Sequence, residues 1–233
     1  MPSAPLPETL QREAFYGRAK GRPLRDAEVQ ALETTSLLLS LDDCTGDLKK
    51  LFKAPVASLH MEIGFGAGEH IVHRALENPA VGFIGAEAFR NGYAKCALLA
   101  EEHKLQNLRI FPFDTRPLLD VLPSASFEAL YLLYPDPWPK RRHWKRRMIN
   151  DGNLKRFARL LKPLGTFYFA TDWANYAAWG LSHLLRAEDF EWQAQDAADW
   201  QKPYDNWIST RYEQKAIREG RTPSYLKFIK TRA

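Results

Sequence analysis

The sequence predicts an α/β fold, a seven-stranded and mostly parallel sheet with helices on both faces. Three observations predict it. Short apolar runs alternate with helical-period segments of about 10–15 residues along most of the chain. The first run, Ser58–Ile63, ends in a glycine-rich turn, Gly64-Phe-Gly-Ala-Gly68. An acid, Glu87, stands 19 residues after Gly68, at the end of the next run. That order of strand, glycine turn, helix, strand and acid is Rossmann-like.

Each element has its own signal. Residues 26–41 hold Ala27, Val29, Leu32 and Leu37 to Leu39, and read as an amphipathic helix followed by a loop. Ser58–Ile63 is the first strand, and a helix over 69–78 stops at Asn78-Pro79. Val81–Ala86 is a strand. Residues 90–104 place Ala94, Ala97, Leu98 and Glu101 at helical spacing. Leu108–Phe111 and Phe127–Leu133 are strands. A helix over 151–161 puts Leu154, Phe157, Leu160 and Leu161 on one face. Gly165–Ala170 is a strand and 174–187 a helix; 190–193 and 225–229 supply the last two strands. Residues 1–25, polar and carrying Pro2, Pro5, Pro7 and Pro23, read as a flexible basic arm. The remainder, 26–233, reads as a single domain.

Composition excludes several classes. The 233 residues are 45% hydrophobic and 26% charged, ordinary for a globular protein. Cys44 and Cys96 are the only cysteines, with no CxxC, which argues against a zinc ribbon, an iron–sulfur site or a disulfide framework. No apolar run approaches the length of a membrane span, and Met1–Leu10 has no apolar core of a secretory signal. The expectation is a cytoplasmic protein with no membrane partner and no metal, either monomer or homodimer.

Charge is uneven. Residues 140–147 carry six Lys/Arg and no acid, and 11–25 and 215–233 are also basic, whereas the rest of the chain is net acidic. Three basic segments on an acidic body form a footprint for a polyanion if they converge.

The glycine turn reads as a cofactor loop, since Gly64, Gly66 and Gly68 let backbone approach a ligand. Glu87 can accept from a ribose diol. Glu62 and Glu69 bracket the turn, where they would repel a diphosphate and tolerate S-adenosyl-L-methionine, whose sulfonium and ammonium are cationic. The spacing also departs from G-x-G-x-x-G, which disfavours NAD. Asp114 follows the third strand and could accept from an adenine amine; its plain alternative is a helix N-cap.

The fourth strand runs into Pro135-Asp-Pro-Trp-Pro139, a stiff turn that presents Asp136 and Trp138. The basic run follows at once. A fixed acid and a large ring beside dense cations suggest a nucleobase pocket next to a phosphate track.

These stretches resemble one family. Glu62-Ile-Gly-Phe-Gly-Ala-Gly68, Gly85-Ala-Glu87, Pro135-Asp-Pro-Trp-Pro-Lys140 with Arg142 to Arg147, Ala170-Thr-Asp172 and Thr210-Arg-Tyr-Glu213 are similar to the bacterial tRNA (guanine-N7-)-methyltransferases. The resemblance spans about residues 15 to 229. It implies a class I S-adenosylmethionine-dependent methyltransferase domain acting on tRNA. It also implies N7-methylguanine as the product, at position 46 of the variable loop. By resemblance, Glu62, Glu87, Asp114 and Asp136 contact the methyl donor, and Asp136 is the catalytic residue. Lys140, Asp172, Thr210, Arg211, Tyr212 and Glu213 hold the guanosine. Arg142, His143, Trp144, Lys145, Arg146 and Arg147 meet RNA, although Trp144 departs from the small polar residue or His expected there. For Asp172 the plain alternative is a helix N-cap, and for Arg211 with Glu213 a surface ion pair.

The chemistry suits these residue types. Guanine N7 offers an in-plane lone pair with no proton to remove, so positioning and electrostatics should carry catalysis. The alternatives are a methyltransferase acting on another RNA, a non-catalytic Rossmann-like RNA-binding module, and an NAD-dependent oxidoreductase, which the bracketing acids disfavour.

Overall fold

The computed structural model describes residues 15–19 and 21–232. Of the expected arm, residues 1–14 and Lys20 lie outside the described residues. Its described part packs on the start of a later helix: the Ala19 carbonyl accepts from Arg90 N at 2.9 Å and the Arg22 carbonyl from Asn91 Nδ2 at 2.9 Å.

The elements are α1 (Asp26–Thr34), β1 (Ser58–Ile63), α2 (Glu69–Glu77), β2 (Val81–Ala86), α3 (Arg90–Glu102), β3 (Leu108–Phe111), α4 (Thr115–Val121) and β4 (Phe127–Leu133). They continue with α5 (Asp151–Leu160), β5 (Leu161–Thr171), α6 (Ala174–Arg186), β6 (Phe190–Trp192), α7 (Ala198–Gln201), α8 (Arg211–Arg218) and β7 (Ser224–Lys230). Among the described residues seven strands form one sheet in the order β3-β2-β1-β4-β5-β7-β6. The pairs from β3 through β5 are parallel; β7 runs antiparallel to both β5 and β6.

Burial on both faces explains the near-continuous apolar runs of β2 and β4, whereas β1 alternates Ser58, His60 and Glu62 with apolar residues. In β1 every residue is buried except His60, and in β4 all but Glu128. Met61, Ile63, Phe127, Leu130 and Leu132 pack with α5 and α6 residues such as Leu154, Phe157 and Tyr176 in one cluster. On the other side of the sheet Ile71, Phe83, Ala97 and Ile110 join α2 and α3 to β2 and β3. A fully buried side chain of this size contributes roughly 1.5–3 kcal/mol. Helix α5 starts where Asn150 Oδ1 accepts from Asn153 N at 3.0 Å, a cap worth about 1 kcal/mol.

The expected strands and helices are present, with shifted ends. β5 begins at Leu161 rather than Gly165, because Leu161 pairs with Phe127 across an irregular register before the ladder resumes at Thr166. Helices α4, α7 and α8 had no counterpart in the expected order. Among the described residues no helix is long and apolar enough to cross a membrane. The strand order reverses between β1 and β4, and ligands of open parallel sheets sit at the carboxyl ends of such a pair.

Candidate active site

A cleft of about 440 Å³ opens at that switch point, lined by Gly64, Glu87, Asp114, Asp136 and Tyr212 among others. Ile63 and Gly64 bring the end of β1 and the start of the glycine turn into its lining. Gly66 and Gly68 have φ of 60° and 87°. A Cβ at Gly68 would stand 2.5 Å from Cys96 Sγ, so only glycine lets α2 start against α3. Above Gly66 lies the Tyr212 ring, with Cε2 3.0 Å from where a Cβ would be.

Glu87 ties the turn to the end of β2. One carboxylate oxygen accepts from Gly66 N at 2.8 Å and the other from Phe89 N at 2.8 Å. Each oxygen keeps a lone pair for a further donor. Burial raises the Glu87 carboxyl above its ordinary value; these backbone N–H groups pull the other way, and the Asp136 charge adds to the rise.

Asp114 stands between β3 and α4. It caps α4, accepting from Arg116 N at 3.1 Å, and it lines the cleft. Its carboxylate also takes Arg116 Nε at 3.0 Å and Nη2 at 2.5 Å, so the acid comes with its own cation.

Asp136 is presented by strained backbone. Tyr134 and Trp138, one residue outside each flanking proline, both lie in the left-handed region, with φ of 51° and 43°. Each such residue costs of order 1–3 kcal/mol, which the surrounding fold must offset. The turn leaves Asp136 exposed to the cleft, and desolvation by the walls raises its carboxyl above the ordinary aspartate value.

Glu62 is 3% exposed and is not part of the cleft lining. Its Oε2 lies 2.7 Å from His70 Nδ1, and His70 Nε2 lies 2.9 Å from the Tyr204 hydroxyl. With Nδ1 donating to the carboxylate, Nε2 accepts from the tyrosine. A ligand contact by Glu62 is therefore left to its other oxygen.

The late segment closes over the turn. Thr210 caps α8, its Oγ1 accepting from Glu213 N at 3.2 Å. Arg211 pairs with Glu69 at 2.9 Å rather than with Glu213. Glu213 is buried, accepting from Trp207 Nε1 at 2.7 Å and from the Tyr225 hydroxyl. Asp172 does not cap α6, whose N-cap is Trp173 without a side-chain bond; it accepts from Arg221 Nε at 2.5 Å. Of this group only Tyr212 lines the cleft.

The basic run divides. Residues Arg141–Arg146 form a 3₁₀ turn in which Arg142 and Lys145 are exposed and His143, Trp144 and Arg146 half-buried. Lys140, just before it, is exposed. The expectation that Arg147 meets RNA needs correction: Arg147 is 1% exposed. It donates to the Pro137 carbonyl at 2.9 Å and to Asn175 Oδ1 at 2.7 Å, and packs over Trp144, Tyr176 and Trp179 at 4.8, 4.8 and 5.2 Å. A cation so enclosed braces the Pro-Asp-Pro turn from behind. Trp144, likewise, meets Trp179 edge-on at 5.3 Å.

Residues 56–225 match a family model described as a putative methyltransferase. The tRNA (guanine-N(7)-)-methyltransferase of Agrobacterium fabrum is 51% identical over 94% of this chain and 95% of its own. The chain belongs to the tRNA (guanine-N7-)-methyltransferase family. A second member, from Mesorhizobium japonicum, is 50% identical over the same shares of both chains. Among solved structures, the 16S rRNA methyltransferase KamB superposes with a TM-score of 0.52 at 16% identity, covering 76% of this chain and 89% of its own. That likeness supports the fold alone.

Sequence reasoning missed His70, Arg116, Trp207 and Arg221, the partners that hold the acids. Their signals lie in tertiary pairing. A helix start beside them is readable in sequence, because Thr210 with Glu213 three residues on is a capping signature.

Proposed function

We propose that this chain transfers a methyl group from S-adenosyl-L-methionine to N7 of guanine in tRNA, at position 46 of the variable loop. The observation that carries the reading is Asp136, held by a strained Pro-Asp-Pro turn in the cleft that Glu87 also lines. The relatives' names supply the substrate class.

The residues present fit that donor. Glu87 has a free lone pair on each oxygen for a ribose diol, and carboxylates around a glycine turn suit a cation better than a diphosphate. When bound, the donor supplies an electrophilic methyl on a sulfonium. The N7 lone pair would take that methyl while the sulfur kept the bonding pair, leaving positive charge on the base. Asp136 stabilises that charge as it develops. Lys140, Asp172, Arg211 and Tyr212 hold the guanosine, with Tyr212 in the cleft, while the buried Thr210 and Glu213 brace that wall from behind. Arg142, His143, Lys145 and Arg146 meet the RNA backbone. Arg147 and Trp144 act one step back by fixing the turn. Residues 26–233 work as one methyltransferase domain with a basic arm before it, and a tRNA substrate places the chain in the cytoplasm.

Incubation of tRNA with methyl-labelled donor, followed by nucleoside analysis, tests the reading. Label in N7-methylguanosine is expected. Label in another nucleoside overturns the N7 assignment, and no transfer at all returns the RNA-binding alternative.

A further inference from the structure

Arg146 sits in a corner made by two aromatic rings. Its guanidinium carbon lies 4.2 Å from the Tyr16 ring centroid and 4.9 Å from that of Trp138. The two rings are 6.4 Å apart with their planes at 76°. Arg146 Nε is buried and has no hydrogen-bond partner among the described residues. Aromatic faces, then, hold this part of the cation in place of an acceptor. Tyr16 is 42% exposed, so the corner opens outward. Both rings, Arg146 and Asp136 line the same cleft.

A planar monocation resting on two rings, with a carboxylate two residues before one of them, indicates what the corner is built to receive. The inferred reaction makes such a species. Guanine enters neutral, and alkylation at N7 spreads one positive charge over a flat ring. Aromatic faces attract a planar cation more strongly than the neutral base of the same shape.

We propose that Tyr16 and Trp138, with their planes at 76°, form a corner slot in which the target guanine stacks on one ring and meets the other at its edge, that the slot favours the N7-alkylated, cationic form, and that Arg146 fills it until the base enters. The proposal rests on the N7 reading above. On entry of the base, Arg146 moves to the RNA phosphates, where a cation is equally well placed. Because attraction to the rings grows as the N–C bond forms, the slot acts on the transition state more than on substrate binding. It also slows release of methylated RNA. The rival reading is a plain clamp, in which Arg146 only pins residues 15–19 to the Pro-Asp-Pro turn.

Two synthetic variable-loop hairpins, identical except for guanosine or N7-methylguanosine at the target position, separate these readings. Binding of each to the full chain is measured by titration. The wild-type chain is expected to bind the methylated hairpin about two- to thirty-fold more tightly. Tyr16→Leu and Trp138→Leu should bring that ratio close to one and lower kcat more than they raise KM. Tyr16→Phe and Trp138→Phe, which keep a ring, should preserve it. Arg146→Ala should weaken binding of both hairpins and leave the ratio intact, because the rings make the discrimination. A wild-type ratio of one, or a ratio that survives both leucine variants or disappears in Arg146→Ala, overturns the slot while N7 methylation of tRNA stands. Absence of N7-methyl product with wild-type enzyme overturns the functional reading and the slot with it.

Discussion

Arg211 Nε lies 2.9 Å from Glu69 Oε1, so the first turn of α8 is pinned to the first turn of α2. Two neighbouring contacts reinforce the pairing. Tyr212 covers Gly66, and Tyr204 reaches His70 on the buried side of α2. The segment proposed to hold guanosine therefore forms one wall with the proposed donor turn. Both ion-pair partners are partly exposed, so Glu69→Ala should cost under about 1 kcal/mol of stability. It should nonetheless raise the KM for tRNA several-fold, since Arg211 loses its anchor. A denaturation curve and steady-state kinetics on the same variant check both halves.

The buried Glu62–His70 contact has a larger expected cost. His70→Ala leaves a carboxylate oxygen that is 3% exposed as a residue without its donor. An unsatisfied buried group costs about 1–3 kcal/mol. Chemical denaturation should show that loss, with Tyr204→Phe smaller because Glu62 keeps its partner.

Acid should weaken donor binding through Glu87. Its carboxyl is raised above the ordinary value of 4.5, chiefly by burial. The folded state thus favours the neutral form, so the ionised group opposes folding at neutral pH and that penalty fades as pH falls through the raised value. Donor binding has the opposite preference, because the ribose diol needs an acceptor. Affinity should decline on acidification from above pH 4.5, and Glu87→Gln should flatten the profile while weakening binding by roughly 1–3 kcal/mol. Titration calorimetry across pH checks this; constant wild-type affinity down to pH 4.5 would remove Glu87 from the donor site.

The basic run should separate into two phenotypes. Replacing exposed Arg142 and Lys145 with Ala should weaken tRNA binding and flatten its salt dependence, by up to about 0.9 in log–log slope per lost phosphate contact. Folding stability should hardly change. Arg147→Ala should do the reverse, lowering the melting temperature through loss of its carbonyl, amide and aromatic partners. Salt-dependent binding and thermal melts on the two sets distinguish them.

Much of this was legible in sequence because the sheet is buried on both faces. The run Phe127–Leu133 reads directly as a central strand, while Ser58–Ile63 alternates polar and apolar residues and owes its placement to the glycine turn that follows it. Helix α8 escaped because Arg211–Arg218 buries only Glu213 and Ala216, leaving no apolar stripe to read. The acids at the strand ends were identifiable by spacing, whereas their protein partners were not. Nothing local tells that Asp172 will meet Arg221, 49 residues on, or that Glu213 will face Trp207 and Tyr225. Prolines announced a stiff turn at Asp136. The left-handed φ values at Tyr134 and Trp138 were not legible, since no sequence rule assigns them to aromatic residues.

Charge at Asp136 should matter more for rate than for binding. Asp136→Ala should lower the single-turnover rate by about 10²–10³, the range for losing one electrostatic stabiliser. Its effect on tRNA affinity should be much smaller. Asp136→Asn keeps an acceptor and loses the charge, so near-complete loss of rate assigns the role to charge, and intermediate activity assigns it to recognition geometry.

The central claim, attack by the N7 lone pair, is tested most directly by changing one atom of the substrate. A tRNA carrying 7-deazaguanosine at the target position replaces N7 with a C–H and keeps the Watson–Crick edge. Single-turnover transfer to that RNA should be abolished while its affinity stays close to that of unmodified tRNA. Transfer at a rate near that of the guanosine form would contradict the claim and move the methyl to another atom.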